Sequence, residues 1–221
     1  MSFIIDGTSG ATFPSGKVQP DASSPYTMKN KIINGNFVID QRNAGASTTP
    51  SSSTYLLDRW QCVATAQSKF SYQRSTTAPT GFKNSILATV VAAYSETASD
   101  FHVVQQQIEG FNTADLGWGA AGAATVTLSF WVRSSLTGTF GGYLTNGNNT
   151  RSYPFTYTIS SANTFEYKTV TIAGDTTGTW ATDNTSGIQV GFSLGAGSSV
   201  SGTAGSWATA TYLGATGQTN V

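Results

Sequence analysis

The nine residues Thr125-Val126-Thr127-Leu128-Ser129-Phe130-Trp131-Val132-Arg133 decide the fold class. Val126, Leu128, Phe130 and Val132 alternate with hydroxyls, Trp131 and Arg133, so in an extended chain the four apolar side chains share one face. A helix would scatter them. The segment therefore reads as a strand with one face for a core and the other carrying hydroxyls, Trp131 and Arg133.

Outward from this stretch, strand patterns recur at residues 69–73, 101–108, 140–144, 153–159, 165–172 and 188–194. Residues 85–91 are apolar on both sides, the pattern of a central strand. Asn146-Gly147-Asn148-Asn149 is a hairpin signal. Pro154 cannot donate to a ladder and predicts an edge strand or a bulge, and a phase change between Tyr167 and Val170 predicts a bulge there. The one helical candidate is a single turn over residues 112–118 after an Asn112 cap. About ten short strands separated by turns, with no sustained period near 3.6, give an all-β sandwich.

Upstream, residues 31–42 read as an opening strand entered through Asn34-Gly35, with Phe37 and Ile39 alternating against Val38 and Asp40. Asp58 and Arg59 precede Trp60 and would point to opposite faces of an extended segment, so each is expected to tie down a neighbouring loop. Residues 1–30 differ in character and are expected to form an N-terminal arm and linker, with the sandwich over 31–221. Phe3, Ile5, Phe13 and Val18 stand alone in Gly/Ser/Pro-rich sequence. Too few to make a core, they would either lie in a flexible leader or be buried on another subunit.

Only 10% of the 221 residues are charged and the net charge is zero. Without a cluster of Lys and Arg, sequence-independent nucleic-acid binding and attraction to anionic membranes are both disfavoured. Cys62 is the single cysteine, so no intrachain disulfide or Cys-based zinc site can form. No apolar run approaches a membrane span, and the first residues lack the features of a secretory signal. A hydroxyl-rich β chain of this kind suits assembly in a bacterial cytoplasm followed by exposure outside, as in a virus particle released by lysis.

Catalytic patterns are sparse. His102 is the only histidine and lies on the strand face opposite Phe101 and Val103, a structural or surface position. The carboxylates are scattered singly, without the pairing that glycoside hydrolysis requires, and no phosphate loop, nucleophile elbow or metal-ligand spacing occurs. Neither a catalytic site nor a cofactor is expected. A structural calcium ion on Asp175, Asp183 and Asn184 competes with ordinary turn capping, the favoured reading.

Sugar binding needs exposed aromatic faces with amides nearby. Trp118, Trp180 and Trp207 sit among Gly and Ala in loop-like sequence and are the candidates, with Asn146, Asn148, Asn149 and Arg151 as a polar tip. The competing reading is that the tryptophans cover the ends of the sandwich or a subunit interface. Gly178-Thr179-Trp180-Ala181-Thr182 is echoed by Gly205-Ser206-Trp207-Ala208-Thr209. Arg59, Arg133 and Arg151 are either locally paired or available at an interface.

The string Ile33-Asn34-Gly35-Asn36-Phe37, with Gln41-Arg42 and then Asp58-Arg59-Trp60, resembles a group of tailed-bacteriophage and prophage fibre or receptor-binding proteins. Further similar segments are Gln107-Ile108-Glu109-Gly110, Leu128-Ser129-Phe130-Trp131-Val132-Arg133-Ser134, Phe165-Glu166-Tyr167-Lys168 and Gly178-Thr179-Trp180-Ala181-Thr182-Asp183. The resemblance implies a carbohydrate-binding-module-like jelly roll, a homotrimer in the virion, attachment to other virion proteins through Phe3, Ile5, Phe13 and Val18, and adsorption to a host surface glycan without membrane insertion. Such proteins continue past the equivalent of Val221, so a truncated sandwich is expected. A purely architectural head, neck or tail decoration, and a polysaccharide depolymerase, are the competing functions.

Overall fold

In the computed structural model the described residues are 29–221, with the backbones of three short strands before them. The chain forms two compact units, Met1–Lys31 and Ile32–Val221. In the first, β1 (Ile4–Asp6), β2 (Gly10–Thr12) and β3 (Val18–Gln19) pair in that order, all antiparallel. Ile5 and Val18 fall within β1 and β3, but their side chains, like Phe3 and Phe13 altogether, lie outside the described residues.

The second unit is an all-β sandwich. Its strands are β4 (Thr54–Leu57), β5 (Trp60–Ala64), β6 (Phe70–Ser75), β7 (Ser85–Val90), β8 (Phe101–Glu109), β9 (Val126–Val132), β10 (Gly138–Asn146), β11 (Ser152–Ile159), β12 (Glu166–Ile172), β13 (Ser186–Ala196), and the two-residue β14 (Ser201–Gly202) and β15 (Gly214–Ala215). One antiparallel sheet runs β11-β10-β13-β8-β5-β4. The ribbons β6-β7 and β9-β12 supply the residues that pack on its inner face. The chain leaves the large sheet after β5, after β8 and after β11 and returns each time, the layer-to-layer crossing expected of a jelly roll.

The alternation in β9 has the predicted result. Val126, Leu128 and Phe130, with Val170 and Ile172 of β12, pack against Ile108, Leu144, Phe155, Ile188 and Val190 of the large sheet. A second cluster joins Trp60, Cys62 and Val104 to Phe70, Tyr72, Ile86 and Ala88. Each wholly buried side chain of this size contributes about 1.5–3 kcal/mol. Ile32 and Phe192 pack against both clusters, where the halves of the core meet.

On the outer face of the large sheet, Val103 and Tyr143 pack with Leu213. The Tyr143 ring crosses the bare backbone of Gly191, where a Cβ would collide with it. Its hydroxyl donates to Gln105 Oε1 at 2.6 Å, and burial holds its pKa far above the usual phenol. The last residues are hydrogen-bonded into the sandwich, Thr219 N to Thr139 O and Val221 N to Leu194 O.

Four expectations need correction. Residues 31–42 are not a strand. The wholly buried Gln106 takes the place of a strand neighbour: Ile33 N donates to its Oε1 at 2.8 Å, and its Nε2 donates to Ile33 O at 2.7 Å. Asn34 and Phe37 then turn the chain with φ near +52° and +53°, so side chains satisfy a backbone that alternation alone would have placed in a ladder.

β7 is not central, because among the described residues it pairs with β6 alone, and Leu87, Val90 and Val91 are exposed. The β9–β12 ladder runs without a bulge from Glu166↔Val132 to Ile172↔Val126. Lys168 simply takes a place on the inner side, and Tyr167 faces outward. The helical turn begins earlier than predicted, as α1 (Gly110–Thr113) with Glu109 at its cap, and a 3₁₀ turn over Ala114–Leu116 follows. The hairpin at Asn146–Asn149 and the edge position of Pro154 in β11 form as predicted.

Candidate functional site

The first constellation is a polar knot around Trp60. Asn34 Nδ2 donates to Ile39 O and Asp58 O, while Trp60 Nε1 donates to Asn34 O at 3.2 Å. Phe37 lies 5.3 Å from the Trp60 ring. Asp58 accepts from Gln41 N at 2.8 Å, and Asp40 accepts from Asn43 N and Gly45 N. Arg59, turned away from Asp58 by a φ of +75°, makes a two-pronged pair with Glu109 at 2.6 and 2.8 Å and donates to Gln107 O. The hydrogen bonds from Arg59 hold the Glu109 carboxyl down at about 2. Asp58 and Arg59 thus tie down different neighbours. These hydrogen bonds hold the scaffold together, with Arg59 Nε left buried and without a hydrogen-bond partner.

The second constellation is the tryptophan end. Trp118, Trp180 and Trp207, from three separate loops, meet edge to face with ring centroids 4.8, 5.3 and 5.4 Å apart. Backbone allows it: Gly119 adopts φ of +91° beneath Trp180, where any Cβ would meet Trp180 and Gly178 O. All three indole N–H groups donate to backbone carbonyls, Ala124 O, Thr177 O and Ala173 O. Trp118 is only 9% exposed, and Trp180 and Trp207 are half-buried against the same core cluster. A cavity of about 50 Å³ lies between Trp118, Trp180, Thr113 and Thr182, room for little more than water. The two echoed segments therefore deliver equivalent tryptophans to one spot.

The polar tip lies beside this cluster. Asn146 is wholly buried; its amide donates to Thr150 Oγ1 and Thr179 O and accepts from Thr150 N and Arg151 N. Asn149 adopts φ of +58° and accepts from Thr145 Oγ1. Arg151 pairs with buried Asp175 through two hydrogen bonds of 2.6 and 2.8 Å. Burial opposes ionisation of Asp175, but the bonds from Arg151 and Thr177 outweigh it and keep the carboxyl below its usual range. A guanidinium thus occupies the position in which Asp175 would meet a cation. Asp183 accepts from Thr185 N and Oγ1, an ordinary turn cap.

A third constellation, not singled out from the sequence, lies on β9 and β12. Trp131 and Tyr167 are directly paired across the ladder, 41% and 55% exposed, with rings 5.4 Å apart. The signal was present in the alternation, since Trp131 falls on the hydroxyl face of β9.

His102 and Asp100 also have structural partners. His102 is buried, with Nε2 2.7 Å from Ala66 O and Nδ1 3.2 Å from Glu96. Asp100 accepts from Tyr94 and Thr97, and these bonds hold its carboxyl far below the usual range. Among the described residues no group of three or more His, Cys, Asp or Glu is placed to hold a metal ion, and no helix is long and apolar enough to cross a membrane. Another cavity, of about 240 Å³, is bordered by Ser198, Ser201, Thr216 and Gln218 and is lined by no titratable group. Comparisons of the chain with protein-family models, with curated proteins and with solved structures find no match.

Proposed function

We propose that the chain is a structural protein of a bacteriophage virion, of the fibre or receptor-binding type, attached through its N-terminal segment and presenting the sandwich for adsorption to a host surface glycan. The observation that carries this reading is spatial. The segments on which the resemblance rests are far apart in sequence yet adjoin one another: 33–37 with 58–60 and 107–110 in the knot, 128–134 with 165–168 as one ladder, and 178–183 against α1 through Phe111 N to Asp183 O. Their adjacency supports reading them as parts of one architecture. The exposed Leu87, Val90 and Val91 of the β7 region supply an apolar surface that a further copy in a trimer would cover.

Particles assembled with a chain lacking residues 1–30 test the attachment. The chain is expected to be missing from them, and normal incorporation would overturn the role. The competing reading, an architectural protein that binds only other virion proteins, draws on the tryptophan end, where mutually packed rings and spent indole N–H groups serve the fold. Retention of the purified chain on host surface polysaccharide favours adsorption; its absence favours the architectural role.

A further inference from the structure

We propose that the outward face of the β9–β12 ribbon is a binding surface for an anionic polysaccharide, with a pyranose ring stacked on Trp131 and Tyr167 and its carboxylate paired with Arg133. The proposal rests on the glycan-adsorption reading and moves the ligand away from the loop tryptophans.

The two aromatic rings sit opposite one another on a strand pair whose inner face already supplies the core. Arg133 continues the same face two residues beyond Trp131, and Phe165 does so two residues before Tyr167. The Arg133 guanidinium stands 5.8 Å over the Phe165 ring, and its Nε donates to Asn163 O at 2.8 Å. That bond engages one of the five N–H donors of a guanidinium. The cation is held in place beside the aromatic pair while remaining exposed.

The rest of the face identifies the ligand. On the other side of the pair stand the exposed hydroxyls of Ser129 and Thr169, paired across the ladder. An apolar protein anchor would leave these hydroxyls and the guanidinium without matching groups. A pyranose matches all three: its C–H face meets the rings, its hydroxyls meet Ser129 and Thr169, and a carboxylate meets Arg133. A neutral sugar leaves Arg133 unmatched, and a single cation is too little for a nucleic acid. Charge complementarity therefore selects an acidic sugar.

The test is titration of the full chain with oligogalacturonate and with sialyllactose, against neutral maltooligosaccharides, by isothermal calorimetry. At least one acidic probe is expected to bind saturably, with affinity about tenfold lower for the neutral sugars and for Trp131→Ala and Arg133→Gln. Binding is also expected to weaken in high salt, and a melting curve near that of the wild type will show that Arg133→Gln is folded. Binding unchanged in both variants, or equal binding of neutral and acidic probes, overturns the inference. If Trp180→Ala or Trp207→Ala abolishes binding while Trp131→Ala retains it, this surface is refuted and glycan adsorption survives. If no probe binds, the inference fails, and retention on host polysaccharide then decides the wider reading separately.

Discussion

Two groups of aromatic residues in this molecule have opposite fates. Trp118, Trp180 and Trp207 come from Gly-rich loops, yet they gather edge to face over the end of the core with every indole N–H donating to a carbonyl. Trp131 and Tyr167 lie in regular strands, yet they face solvent. Loop position does not imply exposure and strand position does not imply burial. What decides is the face of the sheet, which the alternation in β9 already encodes, and whether loops from distant parts of the chain converge, which no local pattern encodes.

Substitutions can break this contrast, and the largest effect is expected at the buried end. Trp118→Ala should cost about 3–5 kcal/mol, because it empties a packed site and removes the edge-to-face partner of both other rings; chemical denaturation measures it, and a loss below about 1 kcal/mol would mean that the cluster is not a structural cap. Gln106→Leu should cost about 1 kcal/mol by removing both hydrogen bonds to the Ile33 backbone, which is close enough to solvent to rehydrate. The same denaturation series checks it, with greater protease sensitivity expected over residues 33–45.

Glu109→Gln should cost about 1 kcal/mol, since its pair with Arg59 is two-pronged but partly exposed. The Glu109 carboxyl is depressed in the fold, so its contribution is complete above its ordinary value near 4.5 and is lost as pH falls through about 2. The stability difference between wild type and Glu109→Gln should therefore shrink across that window, and a difference independent of pH would contradict the pairing. Trp131→Ala should cost the least, within about 1 kcal/mol, the value of a cross-strand pair.

Most of the sandwich was legible in the sequence, because β8, β9, β10, β11 and β13 alternate or run apolar in the way their burial requires. Asn146-Gly147-Asn148-Asn149 and Pro154 disclosed a hairpin and an edge. The opening segment was misleading, because Gln106, more than seventy residues away, supplies the hydrogen bonds that a neighbouring strand would have made. Residues 85–91 showed two apolar faces but could not show that one of them lacks a neighbour. At the tryptophan end the three residues stand out in the sequence but their meeting does not, since the convergence of three loops depends on packing. Trp131 stands on the outward face that the alternation in β9 predicts.

The exchange of the five indole N–H protons with solvent, read by ¹⁵N nuclear magnetic resonance on the full chain, tests the central claim most directly. The account predicts slow exchange for Trp60 and Trp118, intermediate exchange for Trp180 and Trp207, and the fastest for Trp131, with the Trp131 signal moving most when oligogalacturonate or sialyllactose is added. Faster exchange at Trp180 or Trp207 than at Trp131, or sugar-induced shifts confined to those two, would contradict it and return the binding surface to the loops.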